Sequence, residues 1–513
     1  MWRLFRELGG YNVSYGDDPN EEEHTDTSSL PLDEIACAGK CKVDLLYADS
    51  VNRPLVFFSQ KAFAFIQDDK FVSSIYKPDA ISRTKTAKKW KHHIAQLIIF
   101  SILIAVSWTD VRQTATYFAV EKKTSEQLTA RAIFNGRHIS DKMEPAPPVN
   151  LPAIGDLLEK IGKLQGPKSI IVADFRHWFH QIPISERVSQ FFCLSVGSKH
   201  YRWSTLPMGV SWSPFVAQSI AWCLLTLNIE HLLKLDATQR LEQPPFFLEL
   251  IDGGFITVYY DNLLAVGDPE VIDYLSTTWT KSFKRYCVTL KEWNMYSSHQ
   301  LSGGQAVQYL GVAIERVKQT KKISDGSKNV SFVTRWRQVP CKLEKWKSFL
   351  DKCAVSSKLT YRNFSKVCGR IIWSQTLRKH GLCELHPLIL ILKTAMHQKH
   401  MQKAHWDSYF HLSPGDQRIL GEYITRTKKN AYIMPMEDVP RQDVWTCSDS
   451  SSYGWGFVIF STQEADPIAK EVSNDWSLEM CNYRGGTGRI HGFDMTLCRC
   501  PIPSGCGYVD GVP

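Results

Sequence analysis

The sequence predicts an α+β protein of more than one domain, on three observations. From about 115 to 335, short apolar runs broken by Gly, Pro and Asn alternate with helical stretches, the pattern of strands interleaved with helices. From about 336 to 430 the chain reads as helical, with Lys- and Arg-rich faces over Arg335 to Lys352, Lys358 to Arg378 and Pro387 to Lys403. After Pro435 a strand signal returns in Val444 to Asp449 and Gly454 to Phe460. At 513 residues the chain has room for about two to four domains and a sizeable core.

Taken in order, residues 1–90 begin polar and acidic, with Asp17, Asp18, Glu21, Glu22 and Glu23 ahead of a Thr/Ser cluster. That composition predicts a flexible N-terminal extension. Residues 91–335 hold the mixed core. Within it, Ile94 to Trp108 is the most hydrophobic segment of the chain, yet it contains Gln96 and two serines. At about fifteen residues it falls short of the roughly twenty needed to cross a bilayer, so a buried helix is expected there rather than a membrane span. Phe215 to Leu235 reads as a helix, and Phe246 to Val266 as strands around Asp252-Gly253-Gly254. Residues 336–435 form the helical region and 436–480 a partial α/β segment. Residues 481–513, rich in Gly, Cys and Arg and without periodicity, are expected to be an irregular tail.

Composition narrows the classes of function. Hydrophobic content of 43% and charged content of 22% are ordinary for a globular chain. The net charge of +9 has the sign a polyanionic partner requires, although solvated lysine faces alone produce the same excess. The 16 tryptophans serve core packing first and base stacking second. The 14 cysteines follow no repeating framework, and no apolar leader with a small-residue cleavage site follows Met1. A reduced intracellular compartment, cytoplasm or nucleus rather than secretion, is therefore expected, with free thiols. Cys37 with Cys41, and Cys498 with Cys500 and Cys506, lack the partner pairs of a structural zinc site.

Two aspartates carry the chemistry. Asp174 stands near the end of the apolar run Ile170-Ile-Val-Ala-Asp-Phe175. Asp261 stands in Val258-Tyr-Tyr-Asp-Asn-Leu-Leu-Ala-Val-Gly267, which reads as two apolar strands turning around one carboxylate. A strand-end aspartate is by itself more often a turn or cap residue than a metal ligand. The weight lies in the order of the surrounding blocks.

In that order the chain resembles the reverse transcriptases of retrotransposons. Asp174-Phe-Arg-His-Trp-Phe-His-Gln-Ile-Pro-Ile184 is similar to their first catalytic block, and Leu206-Pro-Met-Gly209 with Ser213-Pro214 to their template and nucleotide loop. Tyr259-Tyr-Asp-Asn262 resembles their Tyr-x-Asp-Asp hairpin, Tyr309-Leu-Gly-Val312 the primer-grip strand, and Arg131-Ala-Ile-Phe-Asn-Gly-Arg137 a strand of the fingers. The blocks cover roughly residues 115 to 320. The resemblance implies a right-hand polymerase of fingers, palm and thumb, followed by a helical connection and a partial ribonuclease H-like α/β domain. It implies an RNA-directed DNA polymerase acting on an RNA template, a DNA primer, RNA–DNA hybrid and dNTPs.

The roles it implies are these. Asp174 and Asp261 would hold two Mg²⁺ ions, with Mn²⁺ as a substitute and the Phe175 carbonyl assisting. Such ions sit about 3.5–4 Å apart and activate the attacking hydroxyl while stabilising the leaving pyrophosphate. Arg131 would grip the β- and γ-phosphates in a guanidinium fork, helped by Lys122 or Lys123. Phe179 would stack under the sugar and exclude a 2′-hydroxyl, while Met208 and Gly209 line the nucleotide and template pocket. Tyr259 and Tyr260, with Tyr309, Leu310 and Gly311, would meet the primer end. Lys291 is a weaker candidate, for protonating pyrophosphate.

Asn262 departs from the family pattern, which carries a further aspartate there. An amide lends an oxygen but no charge, so two readings stay open: a working site with two carboxylates, or an inactive remnant that still binds nucleic acid. Cys447-Ser-Asp449-Ser-Ser-Ser-Tyr-Gly454-Trp-Gly456 resembles the first strand of a ribonuclease H domain, with Asp449 and Glu479 as its candidate ligands. No third or fourth carboxylate block follows, and the resemblance there implies a partial domain whose activity is lost. Among retrotransposons the motifs look most like the tyrosine-recombinase class, the DIRS/VIPER-like elements of trypanosomatids.

Overall fold

Leu32 is already buried in the core and bridges to Ala130, and apolar helical sequence follows from Val43. The computed structural model describes residues 27–32, 40–77, 84–123, 128–152, 154–235, 238–322, 328–377 and 385–433, with five strands between 445 and 499. The described residues form a mixed α+β fold in two compact units, one ending at Val339 and one starting at Pro340.

In the first unit, helices α1 (Val43–Ser50), α2 (Ser59–Gln67) and α3 (Asp69–Ile75) belong to the core. Leu46, Ala62, Phe63, Phe65 and Ile66 are buried, and Phe65 stacks on Trp212 at 5.4 Å between centroids. Asp49 accepts hydrogen bonds from Arg285 and from the Tyr286 hydroxyl, which tie α1 to the rest of the unit. The flexible extension expected over 1–90 is therefore corrected at 27–32, 40–77 and 84–90. Its acidic beginning masks an apolar continuation that buries itself against residues far along the chain.

A second correction falls on residues 94–108. Helix α4 (Lys91–Ile99) ends at Ile99, Ser101 takes a left-handed φ of 55°, and the chain continues as strand β1 (Leu103–Val106). The break lets β1 pair with a distant strand instead of prolonging a helix whose Ile99 is 76% exposed. Among the described residues no helix is long and apolar enough to cross a membrane.

Strands β2 (Thr114–Lys123) and β3 (Leu128–Asn135) form a hairpin, followed by α5 (Ile154–Gly162) and β4 (Ser169–Phe175). After β5 (Cys193–Val196) and β6 (Lys199–Trp203) comes α6 (Ser213–Thr226), apolar on all sides and buried accordingly. It ends at Thr226, short of the expected Leu235, because Leu227 is extended and Asn228 left-handed. Strands β7 (Leu248–Glu249), β8 (Phe255–Tyr259) and β9 (Asn262–Gly267) follow, then α7 (Pro269–Arg285) and β10 (Leu290–Tyr296). The unit closes with β11 (Val307–Tyr309), β12 (Val312–Lys322) and β13 (Lys328–Gln338).

These strands make three sheets, ordered β1-β6-β5-β2-β3, β10-β4-β9-β8-β7 and β11-β12-β13. The middle one matters most here. β4 lies between β10 and β9, nearly all of it buried, which is why it reads as an unbroken apolar run. Tryptophans lock α6 in place: Trp178 donates to the Ala217 carbonyl at 3.0 Å and Trp279 to the Leu225 carbonyl at 2.8 Å. Tyr309-Leu-Gly-Val312, expected as a strand, is instead a turn between β11 and β12. Tyr309 pairs with Val312, and Leu310 and Gly311 have φ of 45° and 84°, the positive pair that a type I′ hairpin needs.

The second unit opens with α8 (Pro340–Val355), β14 (Lys358–Thr360), α9 (Tyr361–Thr376), α10 (His386–Met401), β15 (Tyr409–His411) and α11 (Pro414–Lys429). The helices share one apolar core around Phe364, Val367, Ile371, Leu388 and Leu420, matching the helical pattern of the sequence. Beyond them, β16 (Trp445–Ser450), β17 (Trp455–Phe460), β18 (Pro467–Ser473), β19 (Gly488–Ile490) and β20 (Phe493–Arg499) form a sheet in the order β18-β17-β16-β20-β19. β19 and β20 fall within the segment expected to be irregular. Phe493-Asp-Met-Thr-Leu-Cys-Arg499 does alternate at strand period, a signal hidden by the Gly and Cys around it.

Candidate active site

The site is assembled at the ends of β4 and of the β8–β9 hairpin. Tyr259 pairs with Asn262, leaving Tyr260 and Asp261 as a two-residue loop. Tyr260 takes a left-handed φ of 55°, which costs a non-glycine residue about 1–2 kcal/mol. The neighbours that hold it there are visible. The buried side chain of Gln218, on α6, accepts from the Tyr260 N–H and donates to the Val258 carbonyl, both at 2.8 Å. Tyr309, fully buried, donates its hydroxyl to the Asn262 carbonyl at 3.0 Å. Burial, with the nearby Asp261 and Tyr259, pushes that phenol far above its ordinary range and keeps it a donor.

Antiparallel pairing of β4 with β9 sets Asp174 opposite Asn262, one residue from Asp261. The Phe175 N–H donates to the Asp261 carbonyl at 2.8 Å, so the tip is stitched to the end of β4. The two carboxylates are thereby brought together, as the sequence motifs require. Burial pushes the Asp261 carboxyl up to about 6 and the charge of Asp174 adds to the rise, while Arg131 and the Asn262 amide oppose it. Asn262 donates its amide to Asp261 Oδ1 at 2.8 Å.

The remaining predicted residues divide between site and scaffold. Phe175 is a core side chain between Trp178 and Phe283, and only its backbone faces the tip. Phe179 is half-buried with its ring 6.2 Å from Tyr260, which in turn lies 5.3 Å from Tyr259. Arg131 is exposed on β3, opposite Val120, and its charge reaches Asp261. The Met208 carbonyl accepts from the Phe134 N–H at 3.0 Å, so the 206–209 loop lies against β3. The approach requires Gly209: its φ is 114°, and a Cβ there would collide with the Phe134 carbonyl oxygen. Lys122 pairs with Thr129 on the β2–β3 hairpin, and Lys123 is described by its backbone alone. In the second unit Asp449 lies in β16 opposite Gly456 in β17, whereas Glu479, Cys37, Cys500 and Cys506 lie outside the described residues.

Two residues gain a role the sequence does not show. Gln218 reads as one polar residue in an apolar helix, and its position under the hairpin explains why it is tolerated there. Lys291, a weak candidate from sequence, has its Nζ 3.0 Å from Asp174 Oδ2. Burial pulls the ammonium down, but Asp174, Glu292 and Asp261 outweigh it and its pKa rises.

Among the described residues no group of three or more His, Cys, Asp or Glu could hold an ion. What the site offers is two converging hard carboxylates beside a neutral amide. That fits Mg²⁺, which is typically held by one or two carboxylates and completes its shell with water and substrate phosphates.

No family model and no curated protein matches this sequence. Solved structures do. The chain is similar to a foamy viral protease–reverse transcriptase dRH in complex with double-stranded DNA, at 14% identity and a TM-score of 0.43, over 85% of this chain and 68% of that one. It is similar to a foamy viral protease–reverse transcriptase in complex with double-stranded DNA, at 14% identity and a TM-score of 0.43, over 84% and 81%. It is also similar to a foamy viral protease–reverse transcriptase in complex with an RNA/DNA hybrid, at 15% identity and a TM-score of 0.45, over 79% and 46%.

Proposed function

We propose that this chain is the RNA-directed DNA polymerase of a retrotransposon, adding dNTPs to a DNA primer on an RNA template. The observation that carries the reading is the meeting of Asp174 and Asp261 at the tip of one sheet, with the charge of Arg131 reaching the same point. Divalent ions held by Asp174 and Asp261 would supply activation of the primer hydroxyl and stabilisation of the pyrophosphate.

The chain's own residues do the rest. Arg131 binds the triphosphate from β3, and the loop that Gly209 presses against β3 forms the wall beside it. Phe179, next to Tyr260, supports the deoxyribose. Asn262 holds the Asp261 carboxylate by its amide, and Tyr309 and Gln218 keep the hairpin in its left-handed turn, so the carboxylate is presented without reorganisation. The helical region of the second unit is read as thumb and connection, and its sheet as a partial ribonuclease H-like domain without activity. The lineage we favour is the DIRS/VIPER-like class, on the sequence motifs alone.

A second reading, a nucleic-acid-binding remnant without turnover, is favoured by Asn262, which leaves the site one carboxylate short of the family pattern. Primer extension on an RNA template in Mg²⁺ or Mn²⁺, with wild type beside Asp261→Ala, separates the two. Extension by the wild type that falls at least about a hundredfold in the variant is the expected result, the scale lost with one electrostatic group of an active site. Extension by both proteins, or by neither, refutes the polymerase.

A further inference from the structure

The register between β10 and β4 is broken once, beside Asp174. Leu290 pairs with Phe175 and Glu292 with Asp174, so β10 advances two residues while β4 advances one, and Lys291 is the extra residue of a β-bulge. In a regular ladder Lys291 would point to the face opposite Glu292. The bulge interrupts that alternation, and the Lys291 side chain reaches Asp174. The result is an ammonium 3.0 Å from Asp174 Oδ2, with a second acceptor, Glu292 Oε1, at 3.8 Å.

We propose that Lys291 is a counter-ion latch: its ammonium occupies the Asp174 carboxylate in the metal-free chain, competes with the divalent cation for it, and passes to Glu292 when the cation binds. The inference rests on the reading of Asp174 and Asp261 as metal ligands. Its physical basis is competition for one carboxylate oxygen. Two carboxylates without a third must be kept together in the absence of metal, and a nearby cation that can step aside lowers their repulsion without a permanent bond. Lys291 suits this, being half-exposed on a flexible stem with Glu292 within reach.

The test is Mn²⁺ binding by the full-length chain, read from the loss of the free-ion electron paramagnetic resonance signal, without substrate or turnover. Because the pair is exposed, the latch is worth little, and Lys291→Met is expected to tighten Mn²⁺ binding about two- to fivefold. Lys291→Arg, which keeps the charge, and Lys199→Met, which removes one charge on another sheet, are expected to bind as the wild type does. Unchanged or weaker binding by Lys291→Met overturns the latch, as does equal tightening by Lys199→Met. Asp174→Asn tests the underlying reading separately: if it leaves Mn²⁺ binding intact, the metal site itself is wrong. If it abolishes binding while Lys291→Met changes nothing, only the latch fails.

Discussion

Replacing Asp261 with asparagine should make the metal-free protein more stable at neutral pH, and the size of the gain follows from its surroundings. Burial and the Asp174 charge lift this carboxyl from 3.8 to about 6. Below pH 3.8 the group is protonated in both folded and unfolded chains and contributes nothing to their difference. As pH rises from 3.8 to about 6 the unfolded chain gives up the proton while the folded chain keeps it, so stability drains away across that window. Above about pH 6 the loss is complete. A shift of roughly two units at about 1.4 kcal/mol each gives close to 3 kcal/mol, reduced to about 2–3 kcal/mol because the tip is partly open to solvent. The substituted amide carries no proton to lose and keeps an oxygen for the Asn262 side chain. Urea unfolding with EDTA present, followed by tryptophan fluorescence at about pH 4 and pH 7.5, reads the difference between the two proteins. The variant should match the wild type at about pH 4 and exceed it by about 2–3 kcal/mol at pH 7.5. A variant no more stable at the higher pH, or one with the same gap at both pH values, would show that Asp261 is not held under electrostatic load.

Gly209→Ala and Gln218→Leu probe how the hairpin and its neighbouring loop are supported, with Gly253→Ala as the comparison. Gly209→Ala puts a Cβ against the Phe134 carbonyl at a φ of 114°, whereas Gly253→Ala meets nothing within 4 Å at a φ of 79°. The first should cost about 3 kcal/mol or more and the second about 1–2 kcal/mol, so equal melting temperatures for the two variants would refute the close approach. Gln218→Leu leaves the Tyr260 N–H and the Val258 carbonyl without their buried partner, at about 1–3 kcal/mol each. Denaturant titration should show a loss of about 2–5 kcal/mol together with a fall in primer extension, and a loss below about 0.5 kcal/mol would mean that the hairpin holds its turn unaided.

Local sequence carries much of this protein on its own. Ile170 to Ala173 and Leu263 to Val266 are apolar runs of strand length, and the tyrosines and aspartate between β8 and β9 mark a turn. The helices of the second unit follow from periodicity and capping, as at Thr360, whose hydroxyl accepts from the Asn363 N–H. Asp174 and Asp261 are legible as site residues through the order of the blocks around them, since a strand-end aspartate alone is more often a turn or cap residue.

What tertiary structure alone decides depends on pairing between distant segments. Helix α4 yields to a strand at Ser101 because β6, about a hundred residues away, supplies the hydrogen bonds. Helices α1 and α2 fold onto the core because Trp212 and Arg285 wait for them, which no local window contains. Lys291 meets Asp174 only because one residue too many sits in β10, and a bulge is a property of two strands in register rather than of either sequence. Period and propensity are written along the chain; register and burial arise where remote parts of it meet, and the ionisation of Asp261 is set there.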